Sequence, residues 1–395
     1  MASVAIWFWV CFSIVLYTFL GYGIILYLLV IFKRIFSPSI QFKNSVFEPP
    51  VTLVVPCFNE ADSILTKIAN CQLLDYPTDK LTLVFITDGS TDNSQILLQQ
   101  FPRIKVLHEN RRAGKTAAEN RAMKFVETPF VIFSDANTIL NEGAVKNIVR
   151  HFANDQVGCV SGEKRIIISR LDTASSAGEG IYWKYESLLK KLDSEFNSAV
   201  GAAGELVAFR ASLYKDLPED TLLDDFMQSM QMAAEGYKIA YEPDSFALET
   251  SSENVAEELK RKVRICAGGW QSISRLYGKL CFHTTPLLYF QYFSHRVLRW
   301  TITPFLLIAL FFLNLFLGMG SLNFYTITLL VQLFFYTAAY VGFVMENKKL
   351  RIKILFVPYY FCVMNYAVLA GLYQLLAGAQ NGIWEKSQRK AVPLS

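Results

Sequence analysis

Residues 130–139 read FVIFSDANTI and hold side chains well placed to do chemistry. Asp135 and Asn137 flank the small Ala136, so an extended backbone turns both side chains the same way. Two oxygen donors on one side suit a hard cation, Mg²⁺ or Mn²⁺, carrying a diphosphate. The apolar run before them reads as a buried strand of a parallel sheet. Ligands of open α/β sheets bind beyond the carboxyl ends of such strands, which is where this pair falls. The alternative is a strand end closed by ordinary turn residues. Asp88 follows the apolar run LTLVFIT and opens the tight turn DGSTD, which ends at Asp92; either carboxylate would also serve as a helix N-cap. Asp224 and Asp225 begin a Met-rich helix within TLLDDFMQSMQMAAEG, residues 221–236. Acids there are favoured by the helix dipole alone, and the Met side chains read as packing. Lys115 closes the basic loop NRRAGK. Arg261, Lys262 and Arg264 follow an acidic helix start in residues 253–274, where a solvated basic face is the alternative.

These residues need a scaffold to hold them. Residues 51–58, VTLVVPCF, form a buried strand broken at Pro56, with Asn59 and Glu60 after it and helix-compatible spacing over 62–73. Residues 81–87 and 105–108 give two more strands, 116–126 a helix, and then comes the strand that ends at Asp135. This alternation predicts a doubly wound α/β sheet. Further on, residues 157–165 give a strand and turn, 182–192 an amphipathic helix, and GAAGELVAFR at 201–210 a tight turn entering a buried strand.

The 395 residues allow two or three domains. The hydrophobic share of 52% is high for a soluble enzyme, and the excess lies at the two ends. A net charge of +4 speaks against nucleic acid and suits a domain lying against anionic lipid. Seven Cys with no C-x-x-C argue against a disulfide framework or zinc site and for a reducing compartment. Residues 5–32 are uncharged and exceed the roughly 20 needed to cross a bilayer; Lys33 and Arg34 then place that end in the cytoplasm. Residues 286–300 mix aromatics with His295, Arg296 and Arg299 and read as an interfacial helix. Residues 301–320, 324–345 and 354–377 are each long enough to cross, and Lys348, Lys349, Arg351 and Lys353 mark a cytoplasmic loop. Four crossings would put the basic tail (Lys386, Arg389, Lys390) outside, against that bias. Either the last apolar segment is re-entrant or one crossing is miscounted. The organisation expected is an anchor over 1–36, a cytosolic domain over 45–282, and an interfacial helix, membrane helices and tail over 283–395.

The ordered motifs VVPCFNE, ITDGSTD, RRAGKTAAEN and FSDANT resemble the family 2 glycosyltransferases, in particular membrane-bound bacterial polysaccharide synthases. The resemblance implies a GT-A-type nucleotide-sugar-binding domain, an inverting transfer from a nucleotide-sugar, expected to be a UDP-sugar, and Mg²⁺ or Mn²⁺. It implies that Pro56, Asn59 and Glu60 line the nucleoside pocket, and that Asp88 reads the uracil by accepting a base N–H. Lys115 would help hold the nucleotide, and Asp135 and Asn137 would contact ribose and metal. Asn137 stands where the family's D-x-D has its second Asp: it keeps an oxygen ligand and loses a charge. Gly204 and its neighbours would lie beside the acceptor. Asp225 matches the general base, and Asp224 the acid before it. Where processive members carry Q-x-x-R-W, this chain has Arg261 for Gln and Ile265 for Trp; Arg264 agrees and would neutralise the leaving diphosphate. Trp270 is the candidate aromatic platform for a sugar. The function so implied is a membrane-bound glycosyltransferase acting on a growing polysaccharide or a lipid-linked acceptor at the cytoplasmic face of the lipid bilayer. The alternatives are a single-sugar transferase to a polyprenyl-linked acceptor, or a regulatory protein with a degenerate transferase domain.

Overall fold

A computed structural model describes residues 2–36, 47–167, 174–250, 255–319, 323–347, 353–379 and 382–383. Most of the proline linker, the basic loop residues 348–352 and the tail from Trp384 lie outside the described residues. Helices α1 (Ala2–Leu16) and α2 (Tyr22–Phe36) join through a π-helical turn, Tyr17–Gly21. The sheet domain then begins: β1 (Val51–Cys57), α3 (Ala61–Gln72), β2 (Leu81–Asp88), α4 (Ser94–Gln99), β3 (Ile104–Glu109), α5 (Lys115–Met123) and β4 (Phe130–Ser134). These four strands are parallel, in the order β3-β2-β1-β4. Both faces of the sheet are covered, which is why β1 and β4 are apolar at successive positions. Leu53 and Val55 pack with α3 on one face, and Val54 with Val84 and Val131 on the other.

The second half adds antiparallel pairing to the doubly wound α/β sheet that the sequence predicts. It comprises β5 (Ile139–Leu140), α6 (Ala144–Val149), β6 (Val157–Ile167), α7 (Ala174–Phe196), β7 (Leu206–Arg210), α8 (Asp224–Ala234), β8 (Lys238–Thr250) and α9 (Val255–Phe282). The sheet continues β4-β7-β6-β8-β5, and β7 runs antiparallel to both β4 and β6. Leu206 at the start of β7 pairs with Ser134 at the end of β4. The GAAG turn before β7 therefore sits at the carboxyl edge of β4, and the strand can only run back down. The result is a mixed GT-A-like sheet in which Gly204 is carried to the mouth of the parallel half.

Helix α10 (Pro286–Tyr292) continues through a π-helical stretch, Phe293–Ile302, into α11 (Thr303–Gly318), followed by α12 (Phe324–Asn347) and α13 (Lys353–Leu376). Among the described residues, four segments are long and apolar enough to cross a membrane: Ala2–Phe36, Pro286–Gly318, Phe324–Glu346 and Ile354–Leu376. The interfacial helix read from residues 286–300 is thus continuous with the next apolar segment. Its polar residues face the domain. Arg296 and Arg299 both pair with Glu186, at 2.6 and 2.9 Å, and His295 Nδ1 lies 2.6 Å from Asp193 Oδ2. The Tyr22 hydroxyl donates to the same Asp193, so membrane helices from both ends of the chain are fastened to α7.

Helix α13 packs along α9. The Trp270 indole N–H donates to the Val368 carbonyl at 3.2 Å, and a Cβ on Gly371 would lie 2.6 Å from the Ala267 nitrogen. Beyond it, Gly382 rests on the domain, where a Cβ would meet the Glu219 carbonyl at 2.0 Å. At Gly382 the chain after the last apolar helix is therefore back beside the sheet domain.

Candidate functional site

The carboxyl ends of β1, β2 and β4 and the start of α5 enclose a pocket lined by Pro56, Phe58, Glu60, Asp88, Arg112, Gly114, Lys115, Asp135 and Asn137. Parallel strands and the helices that follow them direct backbone N–H groups and side-chain carboxylates to this edge. Asp88, buried at the end of β2, clamps the basic loop. Its Oδ2 accepts from the amides of Ala113 (3.1 Å) and Gly114 (2.6 Å), and its Oδ1 from both terminal nitrogens of Arg121 (3.1 Å each). A base N–H reaching Asp88 would join these donors. Gly114 has φ +101, and a Cβ there would lie 2.8 Å from the Gly382 carbonyl; only glycine meets both demands. The Arg112 guanidinium lies 3.6 Å over the Phe58 ring and walls the pocket.

Asn59 braces the pocket without lining it. It adopts φ 53 and accepts from the Thr91 amide at 2.8 Å, tying the loops after β1 and β2 together. Asp92 is a cap, accepting from the amides of Ser94 (3.0 Å) and Ala61 (2.9 Å).

Asp135 and Asn137 flank buried Ala136 and both line the pocket. Lys115 Nζ lies 2.8 Å from Asp135 Oδ1. No group of three His, Cys, Asp or Glu gathers among the described residues. One carboxylate and one amide oxygen suit a cation shared with a diphosphate, as Mg²⁺ and Mn²⁺ commonly are, and not an all-protein cage. Behind this turn lies a residue that the motifs did not reveal. Lys67, fully buried, donates to Ser134 Oγ (2.8 Å), the Thr138 carbonyl (2.9 Å) and Thr138 Oγ1 (3.2 Å). Burial pushes its pKa down to about 8. The legible signal was a lysine on the apolar stripe Ile64, Ile68 and Cys71 of α3.

The other half of the site comes from α8 and the turn before β7. Asp225 Oδ1 accepts from the Phe226 amide at 2.7 Å. Burial, and then the neighbouring Asp224, push its pKa up to about 7, the range a general base needs near neutrality. The charge of Asp224 also acts on Glu119 of α5, whose pKa is held well above the ordinary carboxylate value by burial and then by Asp224. Lys115 joins the two halves. A Cβ on Gly204 would lie 3.2 Å from Asp225 Oδ2 and 3.3 Å from Lys115 Nζ, so glycine at 204 lets the carboxylate and the ammonium converge. Burial opposes the Lys115 charge, but Asp135, Asp224 and Glu119 outweigh it. Arg264, half-buried on α9, donates to the Gly382 carbonyl at 3.4 Å; burial lowers its pKa, and the nearby Asp224 counters this.

Asp225 also lines a second cavity of about 520 Å³ between the domain and the membrane helices. Ile265 is on its wall; Trp270 is not, since its ring packs on Phe305 and its N–H serves Val368. The structure thus brings Asp88, Lys115, Asp135, Asn137, Gly204, Asp224 and Asp225 to one edge of the sheet; Asn59 is at that edge without lining the pocket, and Trp270 lines neither cavity.

Residues 52–217 match Glycosyl transferase family 2. Poly-beta-1,6-N-acetyl-D-glucosamine synthase of Staphylococcus aureus (strain MSSA476) is 27% identical over 237 residues, covering 57% of this chain and 56% of that protein. The protein of the same name from Staphylococcus epidermidis is 24% identical over 237 residues, with the same coverage. The chain spans about half the length of the curated relatives it matches. Among solved structures, the mannosyltransferase PcManGT from Pyrobaculum calidifontis, in complex with GDP-Man and Mn²⁺, matches with a TM-score of 0.73. That match has 21% identity and covers 95% of this chain and 100% of the other, a likeness of fold.

Proposed function

We propose that this chain, which carries a Glycosyl transferase family 2 domain, is a membrane-bound inverting glycosyltransferase that moves a sugar from a nucleotide-sugar to an acceptor held at the membrane face. The observation that carries this is the convergence at Gly204, where Asp225 meets Lys115, the partner of Asp135. A base for the acceptor and a grip on the donor diphosphate are thereby set on opposite sides of one small space. The acceptor hydroxyl gives its proton to Asp225 as its oxygen bonds to the anomeric carbon. The bond from that carbon to the diphosphate breaks on the far face, so the configuration inverts. Lys115 and Arg264 take up charge on the leaving diphosphate. A Mg²⁺ or Mn²⁺ held by Asp135 and Asn137 would supply further positive charge there.

Asp88 and the loop it clamps are assigned to the base of the nucleotide, which we take to be uracil. Lys33 and Arg34 at the end of α2 support a domain on the cytoplasmic side, where nucleotide-sugars are made. The relatives' name supports an N-acetylhexosamine as the transferred sugar. The test is turnover by the purified full chain: each of several labelled UDP-sugars is supplied with Mn²⁺ and membrane extract, and free UDP and labelled product are measured. One donor should be consumed in preference. Absence of turnover with every donor, despite nucleotide binding, would favour a regulatory protein.

A further inference from the structure

Helices α5 and α8 meet β7 around a small void of about 10 Å³ behind Lys115 and Asp225, about the room one water needs. Glu119 lines it together with Asp224 and Asp225, and Tyr214 and Gln228 close its sides. Glu119 is only 6% exposed and sits on the buried face of α5 beside Ala118 and Ala122. Positive charge is short here. Lys115 Nζ lies 3.8 Å from Glu119 but 2.8 Å from Asp135, so its closest contact is on the donor side. Arg264 of α9 is the other cation that acts on Asp224. Lys115 and Arg264 thus stand against the carboxyls of Asp135, Glu119, Asp224 and Asp225. Carboxyls crowded together out of water do not all ionise. Asp224 Oδ2 is shut off from solvent and has no hydrogen-bond partner among the described residues. A buried acceptor in that state calls for a donor. The Gln228 amide pairs with the Lys215 backbone at 3.0 and 2.9 Å, and Lys115 with Asp135, which leaves a protonated Glu119 or the Tyr214 hydroxyl. Burial and then Asp224 push the Glu119 pKa well up against the pull of Lys115, and Asp135 adds to the push. Burial, then Glu119 and Asp224, also keep the Tyr214 hydroxyl protonated.

We propose that Glu119 is a positioning residue for the transfer: it keeps its proton, donates it to Asp224 Oδ2, and so holds Asp224 as an anion beside the base Asp225. The anion matters because, after burial, it is the charge of Asp224 that raises Asp225 to about 7. With no donor on Oδ2, Asp224 takes up a proton itself, its charge is lost, and Asp225 becomes a weaker base. The Glu119 proton stays where it is during the reaction; the acceptor's proton goes to Asp225. This inference rests on the transferase reading above and adds the residue that tunes its base.

The test has two readouts, one of them free of turnover. Infrared difference spectra of the full chain in detergent, wild type against Glu119→Gln, are recorded at a pH above the Asp225 step, with and without Mn²⁺. The wild type should show the C=O stretch of a protonated carboxyl that the variant lacks. The second readout is the pH profile of single-turnover transfer. Glu119→Gln keeps a neutral donor facing Asp224, so the rate should stay within about twofold and the step should not move. Glu119→Leu fills the space without a donor; the step should fall by about one unit or more, and the plateau rate should drop several-fold because a weaker base takes the acceptor's proton less readily. Asp224→Asn removes the same charge and should move the step in the same direction, whereas Tyr214→Phe should leave it in place. A residue that only packed would give Glu119→Leu and Glu119→Gln the same step. Absence of the infrared band, a wild-type step in Glu119→Leu, or a shift produced by Tyr214→Phe would overturn this proposal. Absence of turnover with every donor would strike the transferase reading, and the infrared band would still decide whether Glu119 holds its proton.

Discussion

Replacing Lys67 by Met separates what holds the fold from what holds the site. The Lys67 pKa falls from 10.5 to about 8, so keeping the buried ammonium charged at neutral pH costs about 3 kcal/mol, at 1.36 kcal/mol per unit. Met fills similar space and removes that cost. It also strips the Thr138 carbonyl of the ammonium donor at 2.9 Å, and an orphaned buried acceptor costs about 1–3 kcal/mol. Ser134 Oγ keeps the Glu205 carbonyl as a partner at 3.1 Å, and Thr138 Oγ1 keeps the Asp135 carbonyl at 2.9 Å. The two terms oppose each other, so thermal unfolding should shift by no more than the equivalent of about 2 kcal/mol in either direction. The turn carrying Asp135 and Asn137 nonetheless loses its anchor, and support of this kind typically alters metal affinity by about 10–100-fold. Mn²⁺ binding, read from the paramagnetic resonance signal of free Mn²⁺ in the presence of nucleotide, should weaken by that much. The pH dependence adds a signature. A lysine depressed on folding binds fewer protons in the native state, so native stability should rise from pH about 8 towards 10.5, and Lys67→Met should lack that rise. Unchanged Mn²⁺ affinity would refute the anchoring role. A stability loss beyond about 4 kcal/mol would refute the balance of terms.

Three further outcomes follow from the same geometry. Gly204→Ala puts a methyl 3.2 Å from Asp225 Oδ2 and 3.3 Å from Lys115 Nζ, so both groups must give by a few tenths of an ångström; transfer should fall by about threefold to tenfold, short of the roughly hundredfold cost of a full ångström, with thermal unfolding little changed. Asn137→Asp adds a charge to a hard-cation site and should tighten Mn²⁺ binding in the same resonance assay. Trp270→Ala should lower the melting temperature through the lost contact with α13 and leave product length and the acceptor's KM as they were, since its ring does not line the cavity.

The parts of the site that lie on the parallel half were legible because each follows a run of buried apolar residues. Val51–Cys57, Leu81–Asp88 and Phe130–Ser134 could only be strands with both faces covered, and their polar ends could only meet at one edge. The antiparallel course of β7 was not legible. GAAGELVAFR announces a turn and a strand, but its direction depends on pairing between Leu206 and Ser134, a contact between residues far apart in the chain. Lys67 was half-hidden for a similar reason: its place on the apolar stripe of α3 marks burial, but that it holds the turn through Thr138 and Ser134 depends on residues far along the chain. Trp270 shows the converse. In the sequence its ring reads as a sugar platform, whereas the close approach of α13 turns that indole into a fastening between helices. The pairing of Lys115 with Asp135, and not with the nucleotide alone, likewise required the tertiary fold.

Asp225 is the residue on which the transferase reading stands, and its pH dependence in single-turnover transfer tests it most directly. The wild-type rate, at saturating donor and acceptor, should rise with pH through about 7, as the carboxyl gives up its proton and becomes able to accept the acceptor's. Asp225→Asn should lose about a hundredfold or more of the rate and the pH step with it, while nucleotide-sugar affinity stays within a few-fold. Transfer by a folded Asp225→Asn chain at the wild-type rate and with the wild-type pH profile would remove Asp225 as the base and the proposed chemistry with it.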